Sequence, residues 1–160
     1  MQPNRSVKLG VAAACAMLLA LGASGCGSGG GGSTLPVITA LSDSVTTTPA
    51  TLTFAGGTAV IKAKVAAPSG ISASSGVFVD LLNSAGTSVL TGGPKAMSIV
   101  SGTTDTYATP VALSVPGNAT STAASLTVKV TATDLLGQTA APLVVGTISV
   151  PPAPPPPAGP

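Results

Sequence analysis

The 160-residue sequence contains no His and no Trp, its four acidic residues are all Asp, and only Phe54, Phe78 and Tyr107 are aromatic. Charged side chains make up 6% of it, against about 25% in a typical soluble domain. Each shortage excludes something. Without His or Glu, general acid–base chemistry at neutral pH loses its usual carriers. A Ser-Lys pair would survive that loss, but the residues three before the lysines are Arg5, Ala59, Ile61, Gly92 and Leu126, so no S-x-x-K motif exists. No G-x-S-x-G elbow and no phosphate-binding glycine loop ahead of a helix occurs. The expectation is a noncatalytic protein with no cofactor and no small-molecule substrate. The four carboxylates, Asp43, Asp80, Asp105 and Asp134, are scattered singly. Asp105 and Asp134 flank loops that a sandwich could bring to one end, but a calcium site needs several oxygens close together. The expectation is that each caps its own turn and that no metal is held.

What the sequence does hold is order along its length. Met1 to Lys8 is short and polar with two cations, Arg5 and Lys8; Leu9 to Leu21 is an apolar run; Gly22, Ala23, Ser24 and Gly25 are small. Charged, apolar and small in that order is the layout of a secretory signal. Leu9 to Gly25 is shorter than the roughly 20 apolar residues that span a bilayer. Cys15 lies inside the apolar run, which leaves Cys26 as the one cysteine after cleavage and forbids an internal disulfide. Removing the signal leaves four Lys and four Asp, so the basic balance belongs to the signal and gives no reason to expect nucleic acid as a partner.

Ala23-Ser24-Gly25-Cys26 resembles the lipobox of bacterial lipoproteins. The resemblance implies cleavage between Gly25 and Cys26, acylation of the Cys26 thiol, and a membrane anchor in the cell envelope. Gly27 rather than Asp follows the cysteine, which by the same resemblance favours the outer membrane. Residues 27–36, GSGGGGSTLP, read as a tether; a ten-residue flexible coil spans about 16–19 Å. Residues 151–160, PPAPPPPAGP, read as an extended polyproline spacer, because proline fixes φ and lacks the amide donor a sheet needs.

Between tether and spacer, 37–150 shows short alternating runs punctuated by Gly, Pro, Ser, Asn and Asp, and no helical period. Strands are expected over Val37–Leu41 and Thr51–Phe54, with a turn at Pro49 between them, then over Thr58–Ala66, Gly76–Asn83, Ser88–Leu90, Ala96–Val100, Thr106–Val115, Ser125–Thr133 and Leu143–Val150. In the third run Ala59, Ile61, Ala63 and Val65 point one way and Thr58, Lys62 and Lys64 the other. A slip of one residue would bury both lysines, so they specify register. In Ser125–Thr133, Leu126, Val128, Val130 and Ala132 face inward. Pro110 implies an edge or a break in its run. Phe54 and Phe78, lying in strands, are expected in the core.

The stretch VPGNATSTAASLTVKVTATDLLGQTA resembles the closing half of bacterial immunoglobulin-like or fibronectin type III-like domains, and PVITALSDSVTTTPATLTFAGGTAVIKAKV resembles their opening strands. The antibody-type Cys pair and core Trp are missing. The resemblance implies an all-β chain: a single antiparallel immunoglobulin-like sandwich of seven or eight strands, with a cleaved signal helix before it and disordered ends. It also implies an interaction, adhesion or structural module whose partner is an envelope protein or polysaccharide. The alternative is a glycan- or peptidoglycan-binding module using loops near Tyr107, the one aromatic with a polar handle. Asn118-Ala119-Thr120 matches an N-glycosylation acceptor, discounted for a bacterial protein.

Overall fold

The computed structural model describes residues 34–72 and 76–157. The signal, the Gly25–Cys26 cleavage site, Cys26 itself and most of the tether lie outside the described residues. Those described form an all-β structure of two antiparallel sheets with no helix.

Ten strands follow in order: β1 Val37–Thr39, β2 Val45–Thr53, β3 Gly56–Ala66, β4 Val77–Leu82, β5 Lys95–Ala96, β6 Ser98–Ile99, β7 Thr106–Ala108, β8 Leu113–Val115, β9 Ala124–Ala132 and β10 Leu143–Val150. The eleven-residue β3 organises the first sheet. On one side β1 pairs with its last residues and β2 with its first; on the other, β7 and β8 divide it in the same way, and β6 pairs with β7. The second sheet has the order β10-β9-β4-β5.

The expected alternation sets both faces. Ala59, Ile61, Ala63 and Val65 are buried, Lys62 is half-buried and Lys64 exposed. The two lysines reach carboxylates on neighbouring loops, Lys62 Nζ to Asp43 Oδ2 at 2.7 Å and Lys64 Nζ to Asp105 Oδ2 at 3.0 Å. From the opposite sheet Val79, Leu81, Val128 and Val130 meet this face, so both sheets share one core. Each fully buried aliphatic side chain contributes about 1.5–3 kcal/mol.

The eight expected strands become ten: Ser88–Leu90 forms no strand, only a bridge from Ser88 to Leu82, and three expected runs, with 37–54 taken as one strand continued past Pro49, are each cut in two. The first cut separates β1 from β2, which begins at Val45, ahead of the expected turn at Pro49. That turn is a bulge inside β2: Thr48 faces Thr58 and Thr53 faces Gly56, so the four residues from Pro49 to Leu52 lie opposite Gly57 alone. They fold over the backbone there and drive Leu52 into the core. A Cβ on Gly57 would sit 2.6 Å from both the Thr48 carbonyl oxygen and Leu52 Cδ2, so only glycine fits beneath the bulge.

The second cut is a change of sheet. Within Ala96–Val100 the chain leaves β4, buries Met97, and joins β7. The third falls at Pro110, as its ring dictates. There Thr109 completes the pairing: its backbone N–H donates to the Ile61 carbonyl at 3.0 Å, and its side-chain Oγ1 accepts from Ile61 N at 3.2 Å.

Two expectations about the core are corrected. Phe54 lies in the turn joining β2 to β3 and is 47% exposed, because Thr53 has already paired with Gly56. Phe78 alternates with the inward Val77 and Val79, so its parity puts it on the outer face, half-buried. Aliphatic side chains alone fill the centre.

The chain enters and leaves this unit at opposite poles. Val37 pairs with Ala66, beside the turn Ala67–Gly70, whose Gly70 carbonyl accepts from Leu135 N at 3.1 Å. The N-terminal pole therefore gathers the start of β1 with the turn Ala67–Gly70 and the β6–β7 and β9–β10 loops. Val150 pairs with Ala124 at the other pole, where the β2–β3 and β8–β9 turns lie.

Candidate functional site

Tyr107, the expected ligand contact, pairs with Ala63 on one side and Ile99 on the other. Its ring is half-buried and packs against the core, lining a depression of about 340 Å³ with Ile71, Val77, Met97 and Ile99. Burial raises the pKa of the phenol, so the hydroxyl remains a neutral donor. What the chain presents at this point is a half-buried ring packed against the core.

A larger concavity was not foreseen. Between the open edges of the two sheets runs a groove of about 530 Å³, with Val89 and Leu90 on one wall and Pro110, Val111 and Leu113 on the other. It exists because Pro110 stops β7 from continuing into β8, and the released residues bow outward, leaving Val111 74% exposed. Lys95 is its one cation, and its Nζ donates to the Thr91 carbonyl at 2.5 Å. The signal for the break, Pro110, was visible in the sequence; the groove depends on which strand edges flank it, and alternation within one segment says nothing of that.

Asp105 and Asp134 share the N-terminal pole, as expected, but each of the four carboxylates is engaged with its own partner. Asp43 and Asp105 pair with lysines. The Lys62 ammonium holds the exposed Asp43 below the ordinary carboxylate range. Asp80, on the outer face of β4, accepts from Ser88 Oγ at 2.5 Å. Asp134 is only 2% exposed and organises the β9–β10 turn. Its Oδ1 accepts from the backbone N–H of Leu136 at 2.9 Å and of Gln138 at 2.8 Å, while Oδ2 accepts from Ser69 Oγ at 2.5 Å. The Ser69 hydrogen bond and the two amides keep its pKa low, against the opposing effect of desolvation. Among the described residues no three Asp, Glu, Cys or His gather to hold a metal ion.

Asn118 has a role that its motif did not suggest. The side chain is 5% exposed and locked. Nδ2 donates to the carbonyls of Thr122 at 2.7 Å and of Val150 and Pro151 at 3.2 Å each, while Oδ1 accepts from Thr120 N at 3.0 Å and Thr120 Oγ1 at 2.7 Å. This Asn clamps the end of β10 to the β8–β9 loop. The proline segment starts under the same clamp: Ala153 N donates to the Thr120 carbonyl at 3.0 Å, so its first residues are held where a solvated spacer was expected.

Among the described residues no helix is long and apolar enough to cross a membrane. The chain matches no family model, no curated protein and no solved structure.

Proposed function

We propose that this chain is a noncatalytic lipoprotein of the bacterial cell envelope, anchored through Cys26, whose immunoglobulin-like domain serves as an interaction, adhesion or structural module. The observation that carries the reading is the polarity of the domain. Its first strand, the one nearer Cys26 in sequence, starts at one pole, and its last strand ends at the other, where the proline segment begins. A domain strung in this way holds whatever follows Val150 away from whatever precedes Val37.

Strand order supports the immunoglobulin-like reading. Taking β1 with β2 as A, β3 as B, β4 as C, β6 as D, β7 with β8 as E, β9 as F and β10 as G, the sheets read A-B-E-D and G-F-C, with β5 as an added edge. This order supports the reading, since immunoglobulin-type sandwiches pair sheets ABED and CFG. Between Cys26 and Pro160 there are 21 Thr and 16 Ser against eight charged residues, a composition that gives a hydroxyl-rich surface with little net field.

The test is crosslinking in intact cells with mass spectrometry, using Cys26→Ala as the unanchored control. One reproducible protein partner, lost in the control, supports the module reading. Retention of Cys26→Ala in the membrane overturns the anchor. A membrane-bound chain without any protein partner shifts the role to a spacer or a polysaccharide ligand.

A further inference from the structure

We infer that the N-terminal pole of the domain docks on the lipid bilayer itself, with the β9–β10 turn as its apolar tip. The inference rests on the reading of Cys26 as a lipid anchor and adds a second, noncovalent contact to it. Leu135 and Leu136 crown the turn at 64% and 65% exposure. The turn is built to hold them out. Gly137, at φ 78°, closes it with its N–H on the Asp134 carbonyl at 3.1 Å, and the Asp134 side chain pins the amides of Leu136 and Gln138. Gly70 leaves room for Leu135: a Cβ there would lie 3.0 Å from Leu135 Cδ1. Two large apolar side chains held in water by a braced turn need a partner more than scattered exposed residues do.

Three observations choose the bilayer. First, exposed apolar residues collect at this pole. Of the eight large ones among the described residues, Leu35, Val37, Leu135 and Leu136 lie here, whereas Phe54 marks the opposite pole. Second, the pole carries little charge: Thr34–Pro36 and residues 67–72, 100–105 and 133–142 hold only Asp105, paired with Lys64, and Asp134, engaged by Ser69 and its own turn. Neither leaves a free carboxylate to be repelled by anionic headgroups. Third, the anchor is close along the chain. Val37 follows Cys26 by eleven residues, which caps their separation at roughly 36–40 Å even when fully extended. An acylated Cys26 therefore keeps this pole within reach of the headgroup region at all times, where Leu side chains partition.

The experiment uses the full chain, lipidated in a bacterial host, purified and reconstituted into phosphatidylethanolamine–phosphatidylglycerol vesicles. An environment-sensitive fluorophore is attached through Leu136→Cys, through Ser101→Cys on the β6–β7 turn of the same pole, or through Ala85→Cys on the β4–β5 loop. Lipids carrying a spin label serve as quenchers. The expected result is a blue shift and strong quenching at position 136, weaker quenching at 101 and none at 85. Flotation with the vesicles but no lipid quenching at any position overturns the inference and leaves the anchor standing. Shielding of position 136 from aqueous iodide without lipid quenching also overturns it, in favour of a second copy covering the tip. Failure to float overturns the anchor and the inference with it.

Discussion

Removing the Asn118 side chain should loosen the C-terminal pole by an amount the structure allows to be worked out. The amide has two N–H groups shared among three carbonyls and one oxygen accepting twice, so about four good hydrogen bonds are made at any moment. At about 1 kcal/mol net each, less what the Thr120 groups recover by turning to water, Asn118→Ala should cost about 3 kcal/mol. For a domain of this size that corresponds to a fall in Tm of roughly 12 °C. Asn118→Asp is the sharper probe. It keeps the acceptor, loses both donors, and sets a carboxylate against carbonyl oxygens in a site only 5% exposed. At pH 7 it should therefore be less stable than Asn118→Ala. The folded-state pKa of that Asp would lie above its unfolded value, so the deficit should shrink as pH falls through it and the acid regains an O–H donor. Thermal unfolding followed by circular dichroism at pH 7 and pH 4.5 reads both effects. A Tm for Asn118→Ala within 2 °C of the parent, or an Asp variant no worse than the Ala variant at pH 7, would refute the clamp.

Gly57→Ala should destabilise by about 1–3 kcal/mol, because its Cβ meets the Thr48 carbonyl and Leu52 at 2.6 Å; the midpoint of a urea titration checks it. Ile61→Ala, at a fully buried position, should cost about 2–5 kcal/mol in the same titration, whereas Val111→Ala at the groove rim should fall within about 0.5 kcal/mol of the parent. Asp134 has a folded pKa below its unfolded value, so the unfolded chain binds the extra proton. Its stabilisation is present above the unfolded carboxylate pKa of about 3.9 and is lost as pH falls through the folded one. Asp134→Ala should flatten that acid limb in urea titrations between pH 2 and 5, and a limb of unchanged slope would refute the assignment.

The parts of the fold written in period-two alternation were legible. Leu126, Val128, Val130 and Ala132 face inward on β9 as their spacing required, and Lys62 and Lys64 mark the outward face of β3. Pro110 announced its break. What escaped were features decided by a partner strand. Phe78 has an apolar side chain but the wrong parity, and Phe54 has passed the last ladder pair; hydrophobicity alone does not distinguish either from a core residue. The switch of sheets at Met97 leaves no mark, because a strand alternates identically in either sheet. The turn-capping role expected for the carboxylates was readable at Asp134, since an Asp opening a D-x-x-G turn has its own amides within reach. Asn118 was not readable in this way, because Val150 and Pro151 lie more than thirty residues along the chain.

The opposite placement of the two chain ends has a mechanical consequence. Tension applied between the tether and the proline segment pulls β1 and β10 along their own lengths. The seven residue pairs joining β10 to β9 are then loaded side by side in shear and must fail nearly together, where a hairpin pulled from one end would unzip pair by pair. Resistance to such a pull is a matter of how fast the terminal strands give way, so it is set by an unfolding rate and separates from equilibrium stability. The domain is thus strung to bear load along its terminal strands.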